Sequence, residues 1–369
     1  MNEEYAIGGD TVLITISLCM IVRNEEQKLG RCLSTVANAV DEIIIVDTGS
    51  TDGTLAIAAR YTKRIYHFDW INDFSAARNE SFRYATKDYI LWLDADDWLD
   101  ERERIKLMSL KEEMDSAVDA VMMDYWLDFD PLGQPTTVVK RHRLVKTSRQ
   151  FKWHDPVHEQ LAVQGNVLLS DIAVCHGRDH SNSDRNLLIY EDMLAKGTKL
   201  NSRQTLQYAM ELMANHRYEQ AIASYDSILR DSTGHNAIKL ECCGRMAHCY
   251  HELGLKEQEL EALQASFKYD QPRADYVCRI GYFYQENGLY EKAVHWYQIA
   301  LKLEKPESRL YSMNLAAWTW LPHLQLVYCY GKLGQLALAY EHNEIALSYS
   351  PNDSNLLYNK ELLKKQMSR

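Results

Sequence analysis

Seven prolines and sixteen glycines in 369 residues are too few for a collagenous, linker-rich or low-complexity chain. The eight cysteines contain no C-x-x-C pair, so no zinc-ribbon or thioredoxin-type motif is present. They stand at 19, 32, 175, 242, 243, 249, 278 and 329, mostly inside apolar segments, which predicts reduced, buried thiols in a cytoplasmic protein. Long hydrophobic runs are missing too. The longest, residues 11–22, is shorter than the ~20 residues of a membrane-spanning helix and lacks a signal peptide's basic start. No G-x-G-x-x-G follows an apolar run, which excludes a dinucleotide dehydrogenase. Positive charge is scarce where it would matter most: residues 1–200 hold 33 acids against 23 bases, and residues 201–369 hold 19 against 18. A surface that tracks nucleic-acid phosphates needs clustered Lys and Arg, so nucleic acid is not an expected partner. A divalent cation suits the acidic half better.

What is present is an ordered globular composition, 46% hydrophobic and 25% charged, at a length that predicts two domains. Residues 1–10 are polar and are expected to fray. From 12 to 97, apolar runs alternate with helical periods, the pattern of a parallel sheet flanked by helices. Strands are expected at 13–22, 42–47, 64–68 and 89–93, with helices over 29–40, from 54 to 60, and over 74–85. A helix over 101–114 is followed by extended segments at 117–129, 136–147 and 163–176, which read as an antiparallel addition to the sheet. Strand signals then cease. The expected division is an α/β domain over 11–182, a helical linker over 183–202 and an all-α domain over 203–369.

The second half is repetitive. Gly254 and Gly288 are 34 residues apart, as are Pro272 and Pro306, which is the tetratricopeptide period. Gly288-Leu-Tyr-Glu-Lys-Ala293 has counterparts at His216–Ala221 and at Gly334–Ala339, the latter after a 12-residue insertion. About four helical pairs are expected, stacked into a solenoid with a continuous core. Of the 23 tyrosines, 16 lie in this half. That exceeds what repeat packing needs and points to an aromatic-lined peptide groove or a homodimer face.

The strongest local chemistry is Asp94-Ala-Asp-Asp97, directly after the apolar run of a buried strand. Acids in that position emerge at the carboxyl edge of the sheet, where open α/β folds bind ligands. Three carboxylates within four residues repel one another unless a cation sits among them, and hard oxygen ligands suit Mg²⁺ or Mn²⁺. Asp47-Thr48-Gly49 and Arg23-Asn24-Glu25 end two further strands, so three strand ends converge on one crevice. Arg141 and Arg143 read as a solvated basic face.

Four segments, SLCMIVRNEE (17–26), EIIIVDTGSTDGT (42–54), DFSAARNES (73–81) and LWLDADD (91–97), resemble in order and spacing the family 2 inverting glycosyltransferases of the GT-A fold. The resemblance implies a Rossmann-like mixed sheet and a nucleotide-sugar donor of the UDP-glucose or UDP-N-acetylglucosamine type. It also implies site roles. Arg23, Asn24, Glu25, Asp47, Thr48 and Gly49 would line the nucleotide pocket, Arg78 and Asn79 would contact the nucleotide, and Asp94 and Asp96 would form the D-x-D pair. Asp94 would face the ribose or sugar, and Asp96 would bind the cation. Thr48 departs from the V-D-D-G-S of many members, whose second Asp reads uracil, and this weakens the case for UDP over other nucleotides.

By the same resemblance the base that activates the acceptor is Glu159, with His158 beside it and Asp155 in reserve. His176, at the end of the last strand, would join the metal ligands. A catalytic domain joined to repeats is similar to bacteriocin cysteine S-glycosyltransferases, which implies a peptide or protein acceptor. A glycan or cell-envelope acceptor is the alternative. A nucleotidyltransferase would need a Gly-rich basic loop after the first strand, which Arg23-Asn-Glu-Glu26 does not supply. A noncatalytic scaffold would have no use for Asp94, Asp96 and Glu159.

Overall fold

In the computed structural model, described residues are 13–129, 133, 135–177, 184–231, 235–305 and 314–368. The segment expected to fray, residues 1–10, lies outside them. The chain divides into two compact units, 1–181 and 182–369.

The first unit is built on an eight-stranded sheet. Its elements are β1 (Ile16–Val22), α1 (Leu29–Val36), β2 (Glu42–Asp47), α2 (Thr54–Ala58), β3 (Ile65–His67), α3 (Phe74–Arg83), β4 (Tyr89–Trp92), β5 (Asp97–Trp98), α4 (Glu101–Glu113), β6 (Ala120–Phe129), β7 (Pro135–Lys146), β8 (Trp153–His154), β9 (Gln160–Leu161) and β10 (Val167–His176). The order across the sheet is β3-β2-β1-β4-β7-β6-β10-β5, with β8 and β9 pairing separately. β1, β2 and β4 read as unbroken apolar runs because helices cover both faces; Ile16, Leu18, Ile44 and Ile45 are fully buried. In α1, Leu29, Cys32, Leu33 and Val36 are the buried face, at helical spacing.

Strand direction decides what meets at the carboxyl edge. β2, β1 and β4 are mutually parallel, and β7 returns antiparallel to β4. β6 runs against β7, and β10 runs parallel to β6. The sheet is mixed, as the resemblance implies, and β7 is the expected antiparallel addition; β10, however, runs parallel to β6, because residues 147–166 cross back to the edge where β6 begins. Asp119, just before β6, donates its N–H to Asn166 there. As a result β1, β2, β4 and β10 all end at the same edge.

The second unit consists of helices: α5 (Arg185–Ala195), α6 (Ser202–Ala214), α7 (Tyr218–Arg230), α8 (Asn236–Glu252), α9 (Lys256–Ala265), α10 (Ala274–Glu286), α11 (Tyr290–Ala300), α12 (Trp320–Lys332), α13 (Leu336–Tyr349) and α14 (Ser354–Met367). α6 to α13 form four successive antiparallel pairs, and α14 follows them. α5 falls where a linker was expected, yet its Leu187 joins the core of the first pairs. Gly254, Gly288 and Gly334 turn their pairs at φ of 70°, 72° and 70°. At the matching place His216 takes φ 59° without glycine's freedom. Residues 306–313, within the 12-residue insertion, lie outside the described residues.

Between α12 and α13, His323 Nδ1 lies 2.8 Å from His342 Nδ1. One ring must donate and the other accept, so the accepting ring is neutral and the two cannot both be protonated. Burial, with His342 beside it, pushes His323 down to about 4. An unfolded chain binds that proton near pH 6.5, so stability is lost as pH falls from about 6.5 to about 4. Discounted for its half-exposed setting, the loss is about 1–2 kcal/mol. Thermal melts at pH 7 and pH 5 should show a larger drop for the wild type than for His323→Gln; equal drops would contradict this.

Candidate active site

Two loops at the carboxyl edge are tied by local polar contacts. Asp47, buried at the end of β2, accepts from the N–H groups of Gly49 and Ser50 at 3.1 Å. This shapes the turn in which Gly49 takes φ 101°. Thr48 is buried and spends its hydroxyl on the Val22 carbonyl at 3.2 Å. Asn24, at φ 54°, accepts from the Thr51 N–H at 2.8 Å and so joins the loop after β1 to the loop after β2. Glu25 donates its N–H to the Thr54 hydroxyl oxygen at 2.7 Å, while Arg23 is exposed. Of the residues predicted as one pocket, Asn24, Glu25, Asp47, Thr48 and Gly49 take part in these contacts at the edge.

β4 then delivers the D-x-D segment. Asp97, with side-chain exposure of 0%, is its fixed point. Its Oδ2 accepts from the Asp94 N–H at 2.9 Å and pairs with Arg143 at 3.0 Å. Its Oδ1 accepts from the Tyr125 hydroxyl at 2.8 Å and lies 3.1 Å from His176 Nδ1. Arg143 is also fully buried, with its guanidinium 3.9 Å from the Trp92 ring and 4.2 Å from the Tyr125 ring. This corrects the solvated basic face expected for Arg141 and Arg143. The cause is a break in strand register: Leu144 pairs with Val121 but His142 with Met122, leaving Arg143 as the extra residue of a bulge. Residue 141 stays outward while 143 turns into the core.

The sequence reading missed Asp97, Tyr125 and Arg143 as a network. Asp97 was visible in the acidic string, but no spacing tied it to Tyr125 or Arg143.

Asp96, Asp97 and His176 each offer a ligand atom within 4.8 Å of the others. Both oxygens of Asp97 are already engaged, which leaves Asp96 and His176 with capacity for a cation. Tyr125 gives its proton to Asp97, and His176 Nδ1 lies 2.7 Å from the Tyr125 oxygen. Nδ1 therefore carries the hydrogen, and Nε2 keeps the lone pair of the neutral ring; a carboxylate behind a histidine in this way is a common support for a metal ligand. Asp96 Oδ1 is 3.5 Å from His176 Nδ1, and its Oδ2 is 3.9 Å from Lys28 Nζ, both longer than a hydrogen bond. Burial, with Asp94 and Asp97 nearby, raises the Asp96 carboxyl above its ordinary range. Burial opposes charge on His176, but Asp97 and Asp96 outweigh it and its pKa is raised as well. An acid and an imidazole that both hold protons more tightly than usual describe a negative pocket, and the donor set fits Mg²⁺ or Mn²⁺.

On the other side of Asp94 stands Arg78 from α3, itself buried. Its Nε donates to Glu159 Oε1 at 2.6 Å and its Nη2 to Asp94 Oδ1 at 2.7 Å. Burial tends to raise the Asp94 carboxyl, but Arg78 and Arg143 overcome it and hold it below the usual range. Asn79 is spent at both ends on the backbone of Trp153: Nδ2 donates to its carbonyl, and Oδ1 accepts its N–H, each at 2.9 Å. Asp155 and His158 lie in the left-handed region at φ 72° and 51°. Non-glycine residues pay roughly 1–2 kcal/mol each there, and such strain collects at functional sites. Predicted donor and acceptor carboxylates thus meet on one arginine.

A sheet with parallel strand ends at one crevice, a D-x-D segment after an inner strand, and an antiparallel return defines a GT-A-type transferase domain, here in a chain that continues into helical repeats. Comparison with known proteins gives each part its family. Residues 17–163 match the profile of glycosyl transferase family 2, and residues 274–306 that of the tetratricopeptide repeat. The chain thus carries a family 2 glycosyltransferase domain and a tetratricopeptide-repeat region.

Among relatives, a TPR repeat-containing protein of Synechococcus elongatus is 28% identical over 340 residues, 91% of this chain and 76% of that one. The glycosyltransferase SunS of Bacillus subtilis is 29% identical over 167 residues, 43% of this chain and 38% of its own length. The lipopolysaccharide core biosynthesis glycosyltransferase LpsC of Rhizobium meliloti is 26% identical over 162 residues, 42% of this chain and 59% of its own length. The match spans less than two thirds of either named glycosyltransferase. Among the described residues, no helix is long and apolar enough to cross a membrane.

Proposed function

We propose that the protein is a divalent-metal-dependent, inverting glycosyltransferase that moves a sugar from a nucleoside diphosphate, most simply UDP, to a side chain of a peptide or protein. The observation that carries this reading is the joining of Asp94 and Glu159 on Arg78, beside Asp96 and His176. Asp94 and the edge formed by Asn24, Glu25, Asp47 and Gly49 bind the nucleotide and sugar. Asp96 and His176 hold Mg²⁺ or Mn²⁺, which when bound supplies positive charge for the leaving diphosphate. Asp97 and Tyr125 fix the His176 ring.

Glu159 takes the proton of the acceptor as its oxygen or sulfur forms a bond to the anomeric carbon. The bond from that carbon to the diphosphate oxygen breaks on the opposite face, and its electron pair leaves with the nucleoside diphosphate. His158 sits next to the base, and Asp155 belongs to the turn that presents it. The repeat region is assigned to the peptide acceptor, and the eight buried, unpaired cysteines accord with a reducing, cytoplasmic setting. A glycan acceptor is the second reading, favoured by the similarity to LpsC.

Calorimetric titration with UDP tests the donor side. Binding should require Mn²⁺ or Mg²⁺, and Asp96→Ala should weaken it about tenfold or more. Equal UDP affinity with and without cation would remove the metal from the proposal.

A further inference from the structure

Helix α3 carries the 153–159 segment on its first turns. Phe74 donates its N–H to the Pro156 carbonyl at 2.8 Å, Asn79 grips the backbone of Trp153 and Arg78 takes Glu159. The same arginine reaches Asp94, at the end of β4. Nε–H and Nη2–H lie on one edge of a guanidinium and point nearly parallel, so Arg78 holds the two carboxylates side by side. Carboxylates that close repel unless a cation lies between them. Trp92 and Trp153 wall the guanidinium, with ring centres 5.0 and 4.9 Å away. Arg78 is thus fixed by rings, by two ion pairs and by its helix, and is poorly placed to act as a free phosphate ligand.

We propose that Arg78 is a positioning residue that couples the two halves of the reaction: its guanidinium edge sets the separation between the donor-side carboxylate Asp94 and the acceptor-side carboxylate Glu159. This rests on the reading of Glu159 as the base. The coupling fixes where the acceptor proton is received relative to where the sugar is held. Lysine cannot replace it, since an ammonium is a point charge and not a two-pronged edge.

The test uses Arg78→Lys and Arg78→Met, alone and combined with Asp94→Asn or Glu159→Gln, in two readouts. In thermal unfolding, Asp94→Asn or Glu159→Gln should lower Tm in the wild-type background, because Arg78 loses a charged partner. In the Arg78→Met background either one should raise Tm, because it relieves an unscreened pair of carboxylates. This reversal needs no donor or acceptor. In turnover, Arg78→Lys should lower kcat about 100-fold or more while UDP affinity changes by less than about threefold. Additive Tm changes without the reversal, or an Arg78→Lys kcat within about threefold of wild type, overturn the proposal. If the wild type transfers no sugar from any donor, the reading of Glu159 as a base fails, and the sign reversal alone still decides whether Arg78 couples the pair.

Discussion

Replacing Arg143 by methionine is expected to remove about 3–5 kcal/mol of folding stability, the cost of breaking a buried ion pair by deleting one partner. Arg143 and Asp97 are both completely buried and 3.0 Å apart, so deleting the guanidinium leaves the Asp97 carboxylate without its arginine partner. The methionine fills most of the space between Trp92 and Tyr125, so the loss reports the unpaired carboxylate and not a cavity. Arg143→Met with Asp97→Leu should recover part of the stability but no activity, because Tyr125, His176 and the Asp94 N–H all rely on Asp97. Urea denaturation of the first unit's tryptophan signal would measure both. A loss under about 1 kcal/mol for the single variant would mean that this pair does not anchor the D-x-D segment.

Glu159→Gln should lower kcat for a hydroxyl acceptor by about 10²–10⁴-fold, the range for losing a positioned general base. Glutamine is isosteric and its oxygen can still accept from Arg78 Nε, so the fold and the donor site should be retained. A cysteine acceptor behaves differently. A thiol with an ordinary pKa near 8.5 is already partly ionised at neutral pH and depends less on a base. Steady-state kinetics with matched Ser and Cys peptides separate the two: retained thiol transfer with lost hydroxyl transfer identifies an S-linked product. Equal, near wild-type rates for both would remove Glu159 from the mechanism.

Much of the first unit was legible because its signals are long. β2 at 42–47 and the helix beginning at Phe74 fall where they were expected, and the structure adds Asp73 as that helix's N-cap, accepting from the Ala76 N–H. β5, β8 and β9 have two residues each, too few to show any period. The bulge at Arg143 was hidden for a related reason: alternation puts 141 and 143 on one face, and only the pairing with β6 shows the register break. The D-x-D acids were visible as a string, but which of them is saturated and which retains capacity depends on Tyr125 and Arg143, distant in sequence. Asn79 is the clearest case of a residue whose motif suggested a ligand contact while its hydrogen bonds hold backbone. The repeat period located the turning glycines of the second unit. His216 shows that the same turn tolerates another residue.

The most direct measurement of the central claim is nucleoside diphosphate release from a panel of nucleotide sugars, with Mg²⁺ or Mn²⁺ and a peptide acceptor, for the wild type and Asp96→Ala. The account predicts release from at least one donor, dependent on the cation and lost in the variant. Release that is unchanged by chelation and by Asp96→Ala, or no release from any donor, would contradict it.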